Sequence, residues 1–212
     1  MSRTSEKAFT LVELLAVVLI LGILASISVG VYTTQVERAR IAAARAMISE
    51  IEIAVNRYQI DTGQYPPSGS GSGSFPAASP AAGCGYLQLA LTHGLGNTSG
   101  TLWHGPYLTI KREMLGDING TPLEVLGGSI SPGEVQILDP WRSPYRYVRS
   151  GPAPDDYATM KGTRLPSGHP YALTDVYYNP STFQISSRGP NGSPADWQDV
   201  GSDADDITNF GI

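Results

Sequence analysis

Between Phe9 and Tyr58 the chain has no proline, and its apolar residues keep a helical period throughout. That combination predicts one helix of about 50 residues, roughly 75 Å long. Residues 11–31 are apolar, with Glu13 as the only charge. At about 1.5 Å per residue these roughly 21 residues span about 31 Å, one bilayer core. Beyond them Val36, Ala39, Ala43, Met47, Ile51, Val55 and Tyr58 recur at steps of three or four. This is one apolar face of an amphipathic helix, and it predicts that the second half packs on a domain. Asp61-Thr62-Gly63 closes the pattern, Gly63 being suited to the left-handed position after a helix.

A charge in hydrocarbon costs several kcal/mol unless it finds a partner, so Glu13 marks a functional contact. On charge alone, a plain signal anchor with its Glu near the interface explains the same residue. Residues 1–8 carry Arg3, Lys7 and the amino terminus against Glu6. Excess positive charge keeps that end cytoplasmic and sends the C-terminal part across the membrane.

About 150 residues follow the anchor, enough for one modest domain. The formal charge of −5 and the pI near 5.1 argue against nucleic acid as a partner, which calls for a basic patch. Cys84 is the single cysteine and cannot form an internal disulfide. With 24 glycines and 16 prolines the domain should be rich in loops, with short strands. The alternating Gly and Ser of residues 68–74 predict a flexible surface loop. A short helix is expected over 86–95, and strands over 134–138, 145–148, 176–178 and 183–186, with Asp139-Pro140 and Asn179-Pro180 as turns. The fold class is therefore α+β: a long N-terminal helix packed on a small antiparallel sheet, with a loop-rich C-terminal region.

Enzymatic chemistry is not indicated. His93, His104 and His169 lie far apart, no Gly-x-Ser-x-Gly elbow is present, and no carboxylates pair as general acid and base. Trp141 and Tyr145, in the proline-rich stretch 139–147, read as a rigid turn covering the sheet edge or the helix. The tail is different. Ser187-Arg188-Gly189-Pro190-Asn191 precedes Asp196, Asp199, Asp203, Asp205 and Asp206. Such an acidic run is either a solvated tail or an oxygen-rich site for a hard cation such as calcium.

Phe9-Thr10-Leu11-Val12-Glu13-Leu14, behind a short basic leader, resembles the N-terminal signature of the type IV pilin superfamily. The resemblance implies cleavage between Ala8 and Phe9 by a prepilin peptidase and N-methylation of Phe9. It also makes Glu13 an assembly contact with the Phe9 amine of a neighbouring copy. The family usually has Gly where Ala8 stands, and many members have Pro where Gly30 stands.

The segment 58–66, Gly105-Pro106-Tyr107-Leu108, the 139–145 motif, 186–192 and 203–210 resemble, in that order, the major pseudopilin (G-type subunit) of type II secretion. Residues 68–101 and 151–170 stand as insertions relative to typical members. That resemblance implies calcium in the C-terminal loop, with Asp203, Asp205, Asp206, Asn191 and Ser187 as ligands. It implies an organisation of leader (1–8), transmembrane and fibre-core half-helix (9–31), amphipathic half-helix (32–60) and periplasmic domain (61–212). The chain would be a single-pass inner-membrane protein that polymerises into a helical fibre with itself and other pseudopilins, on an inner-membrane secretion platform. A type IV pilus subunit or a minor pseudopilin is the near alternative, and a membrane-anchored binding module that never polymerises is the distant one.

Overall fold

The computed structural model describes residues 9–69, 83–94, 103–127, 130–149, 181–190 and 207–209, without the side chains of 27–31. Helix α1 runs over Leu11–Thr62. It ends where expected: Gly63 has φ 76°, and its N–H donates to the Gln59 carbonyl at 2.8 Å. Chain contacts divide the protein into two compact units, Met1–Ala39 and Arg40–Ile212.

In the first unit every large apolar side chain from Leu11 to Leu24 is exposed. Among the described residues no helix is long and apolar enough to cross a membrane. The side chains of 27–31, the last part of the expected span, lie outside the described residues; those of 11–26 cover roughly 24 Å at 1.5 Å per residue.

In the second unit α1 buries Ala44, Met47, Ile48, Ile51, Ala54, Val55 and Tyr58. The expected stripe is corrected at its upstream end, since Ala39 and Ala43 are exposed and Ala44 is buried. Repeated steps of four drift around a helix of 3.6 residues per turn, and the true face compensates with the adjacent pairs 47/48 and 54/55.

Against that face lies α2 (Gly85–Thr92), through Leu87 and Leu91. Among the described residues two antiparallel sheets complete the unit. Strand β1 (Leu115–Gly116) pairs β2 (Gln136–Ile137), with Leu115 opposite Ile137. Strand β4 (Phe183–Ser187) lies between β3 (Arg146–Arg149) and β5 (Ile207–Thr208), with Tyr147 opposite Ile185 and Ser187 opposite Ile207. A four-residue helix, α3 (Leu123–Leu126), sits between β1 and β2 in sequence. Ile137, Tyr145, Tyr147 and Ile185 join the same core cluster as the α1 face.

This is an α+β fold, as the sequence pattern requires, with two small sheets among the described residues where one was expected. Strands β1 and β5 were not expected, and the expected strand over 176–178 lies outside the described residues, as do the insertion 151–170 and the tract 70–74. Ser68 and Gly69 are corrected from flexible loop to docked backbone. Ser68 is buried and its hydroxyl accepts the Arg149 N–H at 3.0 Å, while the Gly69 carbonyl accepts the Tyr86 N–H at 2.9 Å.

Candidate functional site

Thr10 is the last residue before α1, and Glu13 is its third helical residue. The Thr10 N–H and hydroxyl both donate to Glu13 Oε2, at 3.0 and 2.8 Å, and the Glu13 N–H reaches the Thr10 hydroxyl at 3.3 Å. These reciprocal bonds form a capping box, which satisfies donors that a helix N-terminus otherwise leaves free. Glu13 is therefore held in place by its own chain. The sequence reading of Glu13 as a bare charge missed this partner, although Thr-x-x-Glu ahead of an apolar run is its signature. Phe9, one residue further out, is 78% exposed. Ala8 and the rest of the leader lie outside the described residues.

Ser187 alone of the five predicted metal ligands is described; Asn191, Asp203, Asp205 and Asp206 are not. Its hydroxyl is buried, donates to Asp139 Oδ2 at 2.7 Å and accepts the Gly189 N–H at 3.2 Å. So engaged, it ties the residues that follow β4 to the Asp139 turn. Among the described residues no three His, Cys, Asp or Glu side chains are grouped to hold a metal.

Asp139 itself gathers three donors, since its Oδ1 also accepts the N–H groups of Trp141 at 3.0 Å and Ser143 at 2.8 Å. Burial pushes its carboxyl above the usual range, against the pull of those hydrogen bonds and of the nearby Arg188 charge. The Trp141 and Tyr145 reading holds: Trp141 packs on the core, and the buried Tyr145 points its hydroxyl at the Ala44 carbonyl of α1, 3.4 Å away.

At the C-terminal end of α1 the Tyr107 hydroxyl donates to Asp61 Oδ2 at 2.7 Å and accepts the His104 N–H at 2.9 Å. His93 Nδ1 lies 2.7 Å from the Thr92 hydroxyl, a local contact beside α2. Cys84 is fully buried and its thiol is pushed up to about 12 by that burial, so it is inert as a nucleophile.

What the described residues offer, then, is a capped helix start under an all-round apolar helical surface. That arrangement suits a subunit that associates through its N-terminal helix. A family model described as the prokaryotic N-terminal methylation motif matches residues 3–29. Over 151 residues the chain is 25% identical to type II secretion system core protein G of Pseudomonas aeruginosa, covering 71% of this chain and 79% of that one. A fimbrial protein of Neisseria meningitidis is 33% identical over 71 residues, 34% of this chain and 42% of that one. A type IV major pilin protein of Neisseria gonorrhoeae is 34% identical over 71 residues, 34% of this chain and 43% of that one. The chain thus spans less than half the length of these fimbrial and pilin relatives. No solved structure matches significantly. The motif match and these relatives make the chain similar to type IV pilin-like proteins, with the type II secretion core protein G match reaching over most of its length and the pilin matches over about a third.

Proposed function

We propose that this chain is a non-enzymatic structural subunit of a type II secretion pseudopilus, cleaved and N-methylated at Phe9 and polymerised through α1. The observation that carries the proposal is the first half of α1, whose large apolar side chains from Leu11 to Leu24 are all exposed. A patch of that size needs lipid or protein to cover it. Before assembly the cover is the inner membrane, with residues 11–31 as the span and the domain on the periplasmic side. After assembly it is the same segment of neighbouring copies.

Hydrolysis of the Ala8–Phe9 peptide bond frees an amine on Phe9, which is positively charged at neutral pH. Thr10 holds Glu13 by Oε2, and Oε1 is the oxygen through which a neighbour's Phe9 amine would pair. In a low-dielectric fibre core such a pair is expensive to leave half-made, so it selects register as well as adding stability. Because the contact joins unlike surfaces and does not close, it propagates a filament. Processing by the prepilin peptidase comes first, since only the cut creates the amine.

Two variants separate pairing from capping. Glu13→Ala removes both; Glu13→Gln keeps a capping side chain and removes the charge. Both should fail to build fibres when produced with the processing enzyme, and normal fibres from Glu13→Gln would rule out the charge pair. The pilus alternative draws on the fimbrial relatives; restoration of secretion in a strain lacking its major pseudopilin favours the secretion reading over it. Calcium, on this proposal, would be held by Asp203, Asp205, Asp206 and Asn191. At a hundredfold excess over its Kd it would raise stability by about 2.7 kcal/mol, and an identical melting curve with chelator would remove the site.

A further inference from the structure

The face of α1 opposite the core carries a second pattern that the apolar N-terminal half does not explain. Ala42, Ala46, Ser49, Ile53, Asn56 and Ile60 recur in alternating steps of four and three, and all are exposed. Ile53 and Ile60 are 56% and 76% exposed, among the few large apolar side chains left open in the described residues of the second unit. No charge interrupts this stripe; charges stand only along its borders. At 100° per residue Glu50 and Arg57 fall on one border, and Arg45 and Glu52 on the other. All four are on the outward half of the helix, Glu52 half-buried and the rest exposed.

The spacing of these four charges is selective. Glu50 stands five positions after Arg45, and Arg57 five positions after Glu52. If one copy's Glu50/Arg57 border faces the Arg45/Glu52 border of a parallel copy, a displacement of five residues matches both pairs with opposite sign. Five residues is about 7.5 Å along the helix axis. With Glu50 set level with Glu52, or Arg57 with Arg45, like charges meet instead. The borders differ, so the contact is heterologous and can repeat from copy to copy without closing. Phe9 and Glu13, four positions apart, ask for a step of similar size.

We infer that the borders of the outward face of α1 form a contact between parallel copies of this chain displaced by five residues, Glu50 on Arg45 and Arg57 on Glu52. The inference rests on the fibre-subunit reading, which makes all copies run parallel because each leaves the membrane in the same orientation. The uncharged stripe then lies between successive borders, where Ile53 and Ile60 leave water.

Cysteine pairing tests it on the full-length chain produced with the processing enzyme. Residues 45 and 50 lie on opposite borders, too far apart for a disulfide within one copy, and the native Cys84 is buried. The double variant Arg45→Cys/Glu50→Cys should give a ladder of covalent multimers on oxidation, and each single variant should give none. A covalent dimer from a single variant, the largest product one accessible thiol per copy allows, would mean like borders meet, and would overturn the inference. Charge reversal supplies the second arm. Glu50→Arg should lower the sedimenting fraction roughly two- to five-fold, the scale of exposed ion pairs, and Arg45→Glu in the same chain should restore it. Fibres that sediment normally while the double variant stays uncrosslinked and the reversals have no effect would sink this contact and leave the fibre reading standing. A processed wild-type chain that never sediments would sink both.

Discussion

Removing the Asp139 carboxylate should destabilise the second unit by about 3 kcal/mol, because three donors lose one acceptor group. The Ser187 hydroxyl is buried, the residue being 1% exposed. Stranding it forfeits about 1–3 kcal/mol. The Trp141 and Ser143 amides are only part-buried, so water reclaims much of their loss and each adds roughly 0.5–1 kcal/mol. For a chain of this size the total corresponds to a fall in Tm of roughly 6–12 °C.

The assay is urea and thermal denaturation of Asp139→Ala beside Asp139→Asn, each as the full chain in detergent. Asparagine keeps the oxygen for both turn amides, and Ser187 can turn to accept from its NH2, so it should lose less than about 1 kcal/mol. The two also separate by pH. Burial raises the Asp139 pKa in the folded state above its unfolded value. Folding therefore takes up a proton between those two values: the group's contribution is fully present below the unfolded value and is lost as pH rises through the folded one. Wild type should gain on Asp139→Asn as pH falls from 7 into that window. Asp139→Ala within 0.5 kcal/mol of wild type, or Asp139→Asn as damaging as Asp139→Ala, would refute this account of the turn.

Other consequences are local. Thr10→Ala removes the cap of α1, and the amides of its first turn should exchange with solvent about fivefold faster, matching a cap of about 1 kcal/mol; unchanged exchange would deny the box. Gly120 has φ 82° and an added Cβ would run into the Arg142 carbonyl, so Gly120→Ala should cost about 2 kcal/mol or more in urea denaturation, and a neutral result would mean the turn relaxes freely. The Cys84 thiol should react with a thiol reagent at pH 8 only after unfolding; rapid labelling of the native chain would contradict its burial.

The long helix was legible because it needs only two signals, the absence of proline and a sustained period, and Gly63 marks its end by its own conformational freedom. Its exact inward face was not, since the stripe through Ala43 and the one through Ala44 differ by a single step and only packing against Leu87, Leu91 and the sheets decides between them. Strands β3 and β4 announced themselves through Tyr147, Val148, Phe183 and Ile185. Strands β1 and β5, at two residues each, are too short to carry a period and exist because a neighbour pairs with them. At the candidate site, Phe9 and Glu13 are singled out by the resemblance of Phe9-Thr10-Leu11-Val12-Glu13 to a pilin N-terminus, and the structure adds the bonds from Thr10 to Glu13. Thr10, three positions before Glu13, is the other half of a capping box and was legible as Thr-x-x-Glu ahead of an apolar run. The partnership of Ser187 with Asp139 joins residues 48 positions apart, and no local pattern foretells it.

The central claim is that cutting the chain creates the partner of Glu13. Mass spectrometry of the protein produced together with a prepilin peptidase addresses this directly. The account predicts a mature chain that begins at Phe9 and carries one added methyl group on its amine. A chain that keeps its Met1 terminus intact, under conditions where the peptidase processes a known substrate, would contradict it.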